Sequence, residues 1–161
     1  MILYLYMVNF EEINKYGVVF LTNLYEPKTN QLLLEVKKSK TSAFEVSVPV
    51  GDILLSGCKE VSIDNDDSFF TILFTDYISY YVVNESFANS DSSEDYTAGE
   101  YSTFCIFHRS NYMQFILKET FADEMFPNEL KHYGLFASDH IVHIISRSAP
   151  AISVKESVNQ G

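Results

Sequence analysis

A chain of 161 residues is the size of one domain, and at 47% apolar it has the material for a packed core, which excludes a disordered polymer. Its formal charge is −11, from 22 acids against 11 bases, so binding to nucleic acid would need a local basic patch. The one cluster of bases is Lys37, Lys38 and Lys40, too small for that role, and no nucleic-acid partner is expected.

Thirteen Phe and eleven Tyr without a single Trp lean toward β structure. Ile2 to Phe10 is a predicted strand. It has no basic flank and is too short to cross a bilayer, so a cytoplasmic location without membrane contact is expected. Asn14 to Gly17 carries a turn signal. Val18 to Tyr25 and Gln31 to Lys37 flank Pro27 and Asn30 and predict a hairpin. Lys38 to Ser42 is a polar connection. Ala43 to Val50 alternates apolar and polar residues, as a half-buried strand does. Gly51 to Cys58 is expected to form one or two helical turns.

From Glu60 to His108 the chain has acids at Glu60, Asp64, Asp66, Asp67, Asp76, Glu85, Asp91, Glu94, Asp95 and Glu100, and no Lys or Arg. Val61 to Ile63 is a short strand. Asp64 to Ser68 is a turn that lacks the glycine and bidentate Glu of a calcium loop at their spacings. Inside the window runs an aromatic, β-branched stretch, Phe69 to Phe87, with Thr75-Asp76 as a tight turn or a bulge. Residues 88 to 100 form a polar loop, and Glu100 to His108 is another strand. Ser110 or Asn111 can cap a helix over about 110–123. Lys131 to Ala137 and Ile141 to Ser146 are two more strands around a Ser138-Asp139-His140 turn. Pro150 marks the end of the main fold, with Ile152 to Val154 as a last piece. The expectation is one domain over 1–154, with a frayed polar tail over 155–161.

These elements predict an α+β protein: mainly antiparallel β-sheet, about eight strands, one good helix and a short one near 51–58. No β-α-β alternation supports a parallel sheet.

No catalytic motif stands out. GxSxG and GxxxxGK are absent, and the six glycines are scattered. Cys58 and Cys105 sit in apolar company, as free thiols do, and are too few for a zinc site. His140 and His143 point to opposite faces of a strand, so no metal site and no cofactor are expected. A polar cluster of Glu85, His132 and His140 is the alternative, as the site of a small enzyme or ligand-binding protein.

Tyr80, Asn84-Glu85-Ser86, Glu94, Gly99, Thr120-Phe121-Ala122, His132-Tyr133-Gly134, His140-Ile141-Val142 and Pro150 resemble a small uncharacterised bacterial protein family over residues 69–152. That resemblance implies no catalytic chemistry. In size and acidity the chain is also similar in type to the toxin-immunity proteins of contact-dependent inhibition systems. This likeness implies a non-enzymatic inhibitor that covers the basic, substrate-binding surface of a toxin domain, a nuclease being the favoured partner. The acids expected to meet it are Glu85, Asp91, Glu94, Asp95 and Glu100, with Tyr96, and also Asp64, Asp66 and Asp67. Tyr77, Tyr81 and Tyr96 are the candidate aromatic anchors.

Overall fold

A computed structural model of the chain describes residues 2–64, 68–89, 91–98 and 102–158. The architecture is α+β, mainly antiparallel, with two sheets and one helix longer than two turns.

Sheet 1 contains β1 (Ile2–Val8), β11 (Ala151–Val158), β5 (Phe69–Phe74), β3 (Leu32–Val50) and β2 (Val19–Tyr25), in that spatial order. A further strand, β4 (Ile53–Ile63), pairs with β3. Sheet 2 runs β6 (Tyr77–Asn84), β10 (His140–Ser146), β9 (Lys131–Phe136), β8 (Phe104–Arg109), β7 (Asp95–Ala98). The paired strands are antiparallel throughout.

The core lies between the sheets, because alternate residues of each strand point inward. Leu32, Leu34, Phe70, Ile72 and Phe74 from sheet 1 meet Phe104, Tyr133, Leu135, Val142 and Ile144 from sheet 2. The Phe74 and Tyr133 rings touch edge to face across the layer at 5.3 Å. In β5 the even-numbered Phe70, Ile72 and Phe74 are buried, and Thr71 on the other face is buried too, its hydroxyl bonded to that of Ser153.

The predicted hairpin over 18–37 is present as β2 and β3. Several other expectations change. The first strand stops at Val8, and Phe10–Lys15 form a helix, α1. Asn9 caps it by accepting from the Glu12 N–H, and Glu11 and Glu12 occupy its first turn, where the helix dipole favours acids. Lys38 to Ser42 does not interrupt the sheet: β3 runs through it as one strand of 19 residues.

Residues 51–58 are not helical. Gly51, with φ +59°, turns the chain together with Asp52, and β4 returns along β3. Gly57, with φ +77°, sits where the register shifts, a bulge position that glycine suits. Thr75-Asp76 is a turn, but β5 and β6 belong to different sheets, so the chain crosses the core there.

The helix expected over 110–123 is split. Ser110 caps α2 (Asn111–Glu119), Thr120 adopts an extended conformation, and α3 covers Ala122–Met125. β7 lies within the expected loop 88–100. The segment after Pro150 is no frayed end through Val158: β11 inserts between β1 and β5, pairing Lys155 with Leu5 and Val158 with Ile2. The last three residues of the tail lie outside the described residues. Among the described residues no helix is long and apolar enough to cross a membrane.

Candidate functional site

The face of sheet 2 turned away from the core carries the site. Strand register places Tyr81 opposite His143, His143 opposite Gly134, Gly134 opposite Cys105, and Tyr96 opposite Phe107. Cross-strand partners share a face, so these side chains form one aromatic floor. The Tyr81 and His143 rings stack at 4.6 Å with an interplanar angle of 8°. Phe107 stacks on His132 at 3.9 Å, and Tyr96 leans on Phe107 at 5.1 Å. Gly134 leaves the space these rings use: a Cβ there would lie 2.9 Å from a Phe107 ring carbon and 3.0 Å from Cys105 Sγ.

Helix α2 covers one end of the floor through Tyr112, which contacts Tyr81 edge on at 4.5 Å and hydrogen-bonds Ser79 through its hydroxyl at 2.7 Å. The polar segment after β6 stands along the rim. Between them opens a cleft of about 430 Å³, whose lining includes Tyr81, Asp91, Glu94, Tyr96, Phe107 and His143. The segment is tied down at its acids. Asp91 accepts from the Ser93 N–H and from Asn111 Nδ2, and Glu94 accepts from the Asn111 N–H at the start of α2. Arg109 Nε donates to the Ser93 carbonyl. Bonds from Ser93 and Asn111 hold the Asp91 carboxyl below its ordinary range, so it stays charged. Burial, then the Glu94 carboxylate, push the Tyr81 phenol up to about 12.

Behind the floor runs a buried polar relay. Ser110 Oγ accepts from the Met113 N–H as the cap of α2 and lies 2.6 Å from His132 Nδ1. His132 Nε2 lies 2.9 Å from His143 Nδ1. Ser110 donating to His132 and His132 donating to His143 satisfies both contacts, and the reverse direction, from His143 through His132 to Ser110, fits the same distances. Burial lowers both imidazoles, His132 to about 3 and His143 to about 4, so both are neutral at pH 7.

Of the acids singled out in the sequence, Asp91 and Glu94 come together at this cleft with Tyr96 and Tyr81. Asp95 opens β7 opposite Arg109, outside the lining. Glu85 belongs to a 3-10 turn and lines a different cleft with Gly17, Thr103 and Ser138. Asp64 directly follows β4 on the sheet 1 side, its N–H bonded to the Lys38 carbonyl. Asp66, Asp67 and Glu100 lie outside the described residues. Tyr77 packs toward the core against Tyr80.

Glu85, His132 and His140 do not form one cluster. His132 is opposite Ile145, whereas His140 is at the other end of β10 opposite Asn84. The odd offset from 140 to 145 also puts the two imidazoles on opposite faces. His140 Nδ1 instead lies 3.1 Å from Asp139 Oδ2.

A second cleft, of about 450 Å³, lies beside α3 and is walled by Tyr77, Phe121, Met125 and Phe126. Among the described residues it has one acid, Asp76, bonded to Ser148 and 4.0 Å from Arg147, where the first cleft has two, Asp91 and Glu94. The two thiols are free: Cys105 is buried under the aromatic floor and Cys58 is half-buried on β4.

Sequence reasoning missed His143, Phe107 and Phe136 in the cleft. Alternation along each strand gives the face of every residue, but which strands are neighbours is a property of the sheet order. No family model, no curated protein and no solved structure matches the chain.

Proposed function

We propose that the protein is a non-enzymatic binding protein for a basic protein partner, and that the partner is a cognate bacterial toxin domain, a nuclease, which it neutralises as an immunity protein in the cytoplasm. The observation that carries this reading is the placement of Asp91 and Glu94 at one cleft with the exposed rings of Tyr81 and Tyr96. A guanidinium or ammonium group entering the cleft would pair with the carboxylates and lie against the aromatic faces. Cationic side chains of that kind line the substrate-binding surface of a nuclease, because they must hold phosphates. Occupying them blocks the toxin without any chemistry by the inhibitor.

The overall charge of −11 supports the same reading, since a long-range negative field speeds encounter with a basic partner. The neutral histidine pair adds no positive charge to the floor at pH 7, so the guanidinium of Arg109, bonded to the rim at Ser93, is the cation nearest to Asp91 among those described.

The test uses a basic toxin nuclease domain, taken first from any that the neighbouring genes encode. The wild-type protein is expected to capture it and to rescue growth of cells producing it. The Asp91→Asn/Glu94→Gln variant keeps the side-chain shape while removing the charge, at the loss of one of the two bonds that Asp91 accepts from Ser93 and Asn111, and should bind roughly tenfold to a hundredfold more weakly. Equal capture by wild type and variant would remove the cleft as the interface.

A further inference from the structure

β3 and β4 leave the body of sheet 1 as a two-stranded arm. From Glu45 to Val50, β3 pairs with β4 alone, and β4 pairs with no other strand among the described residues. Val46 faces Cys58, Val48 faces Leu55, and Val50 faces Ile53. Partners across an antiparallel pair share a face, so these residues make one continuous apolar stripe. The charged pair Glu45 and Lys59 falls on the other side. Val46, Val48, Val50, Ile53 and Leu55 are between 40% and 66% exposed, and Phe44, just before them, is 81% exposed.

A two-stranded ribbon with nothing on its apolar face is marginal in water. A patch of this kind marks an interface. From Glu45 to Lys59 the arm carries only Glu45, Asp52 at the turn and Lys59, and the Glu45–Lys59 pair falls on the side opposite the stripe. The stripe itself is uncharged, so it offers nothing to a basic partner's cations, and two copies of it can meet without like charges face to face. Area agrees: six side chains offering on the order of 100 Å² each give about 600 Å² per copy and about 1,200 Å² for two, the lower end of stable interfaces.

We propose that the β3–β4 arm is a dimerisation element, packing its Val46–Val48–Val50–Ile53–Leu55 stripe against the same stripe of a second copy about a two-fold axis. The arm extends sheet 1, whereas the acid-rimmed cleft is on the outer face of sheet 2, so dimerisation leaves both clefts open. This inference is independent of the identity of the toxin.

The experiment is light scattering on the full chain from low micromolar to submillimolar concentration, with hydrogen exchange at both ends of the range. The expected result is twice the chain mass, with amides of residues 45–58 protected only where the dimer is populated. The Val48→Asp/Leu55→Asp variant should raise the dissociation constant by at least ~100-fold. Its thermal transition shows whether the body remains folded. A monomer at every concentration overturns the proposal, as does a variant that is folded and equally dimeric. Arm protection that appears only when a basic toxin domain is added overturns it too, by giving the arm to the partner. If the variant does not fold, the concentration dependence of exchange in the wild type still decides.

Discussion

His132 Nε2 and His143 Nδ1 lie 2.9 Å apart, both buried, between Ser110 and the floor of the cleft. Their ordinary value is 6.5, but burial lowers His143 to about 4, and burial with the neighbouring imidazole lowers His132 to about 3. In the unfolded chain both take up protons near pH 6.5, so below that pH the unfolded state binds more protons than the folded one. The stabilisation is intact above about pH 6.5 and is lost as pH falls toward 4. Between pH 7 and pH 4.5 the loss should be on the order of 2–5 kcal/mol. Urea midpoints measured across that range check it. His143→Phe should show about half the wild-type slope, and an unchanged slope would mean the pair is not buried as described.

Gly134 is held among Phe107, Cys105 and Phe136, with a hypothetical Cβ at 2.9–3.1 Å from their side chains. These neighbours are packed rings and a buried sulfur, which cannot move aside freely. Gly134→Ala should cost about 1–3 kcal/mol in chemical denaturation. It should also weaken partner capture, because Phe107 lines the cleft.

Asn14, 2% exposed, stands at the end of α1 and completes the backbone bonding of β8. Its Nδ2 donates to the Phe104 carbonyl and its Oδ1 accepts from the Phe104 N–H, each at 2.8 Å. Asn14→Ala leaves both backbone groups unpaired in the core. A loss of about 2–4 kcal/mol is expected, read as a fall in the urea midpoint.

The sequence made the α+β class legible because alternation and aromatic content persist through most strands, as in Phe70, Ile72 and Phe74. The hairpin over 18–37 was legible through Pro27 and Asn30. Features set by tertiary pairing were not. Lys38 to Ser42 is polar, yet β3 runs through it, because β2 pairs with Lys38 and β4 with Ser39, Lys40 and Thr41. Gly51 to Cys58 is short and apolar, a pattern shared by a helical turn and a strand, and only the positive φ at Gly51 and Gly57 separates them. Asn14 looks like a turn residue until Phe104, ninety positions away, becomes its partner. In the site, Asp91, Glu94 and Tyr96 were legible as an acidic loop with an aromatic. Nothing local links them to His143, which the β6–β10–β9 order brings beneath them.

The cleft account turns on electrostatic steering by Asp91 and Glu94. The most direct measurement is the association rate of the captured toxin domain as a function of salt, for the wild type and for Asp91→Asn/Glu94→Gln. The wild-type rate should fall by roughly tenfold or more from low to physiological-plus salt, and the variant, still steered by its remaining acids, should start slower and fall less. Two salt profiles that superimpose would contradict the assignment of the cleft as the interface.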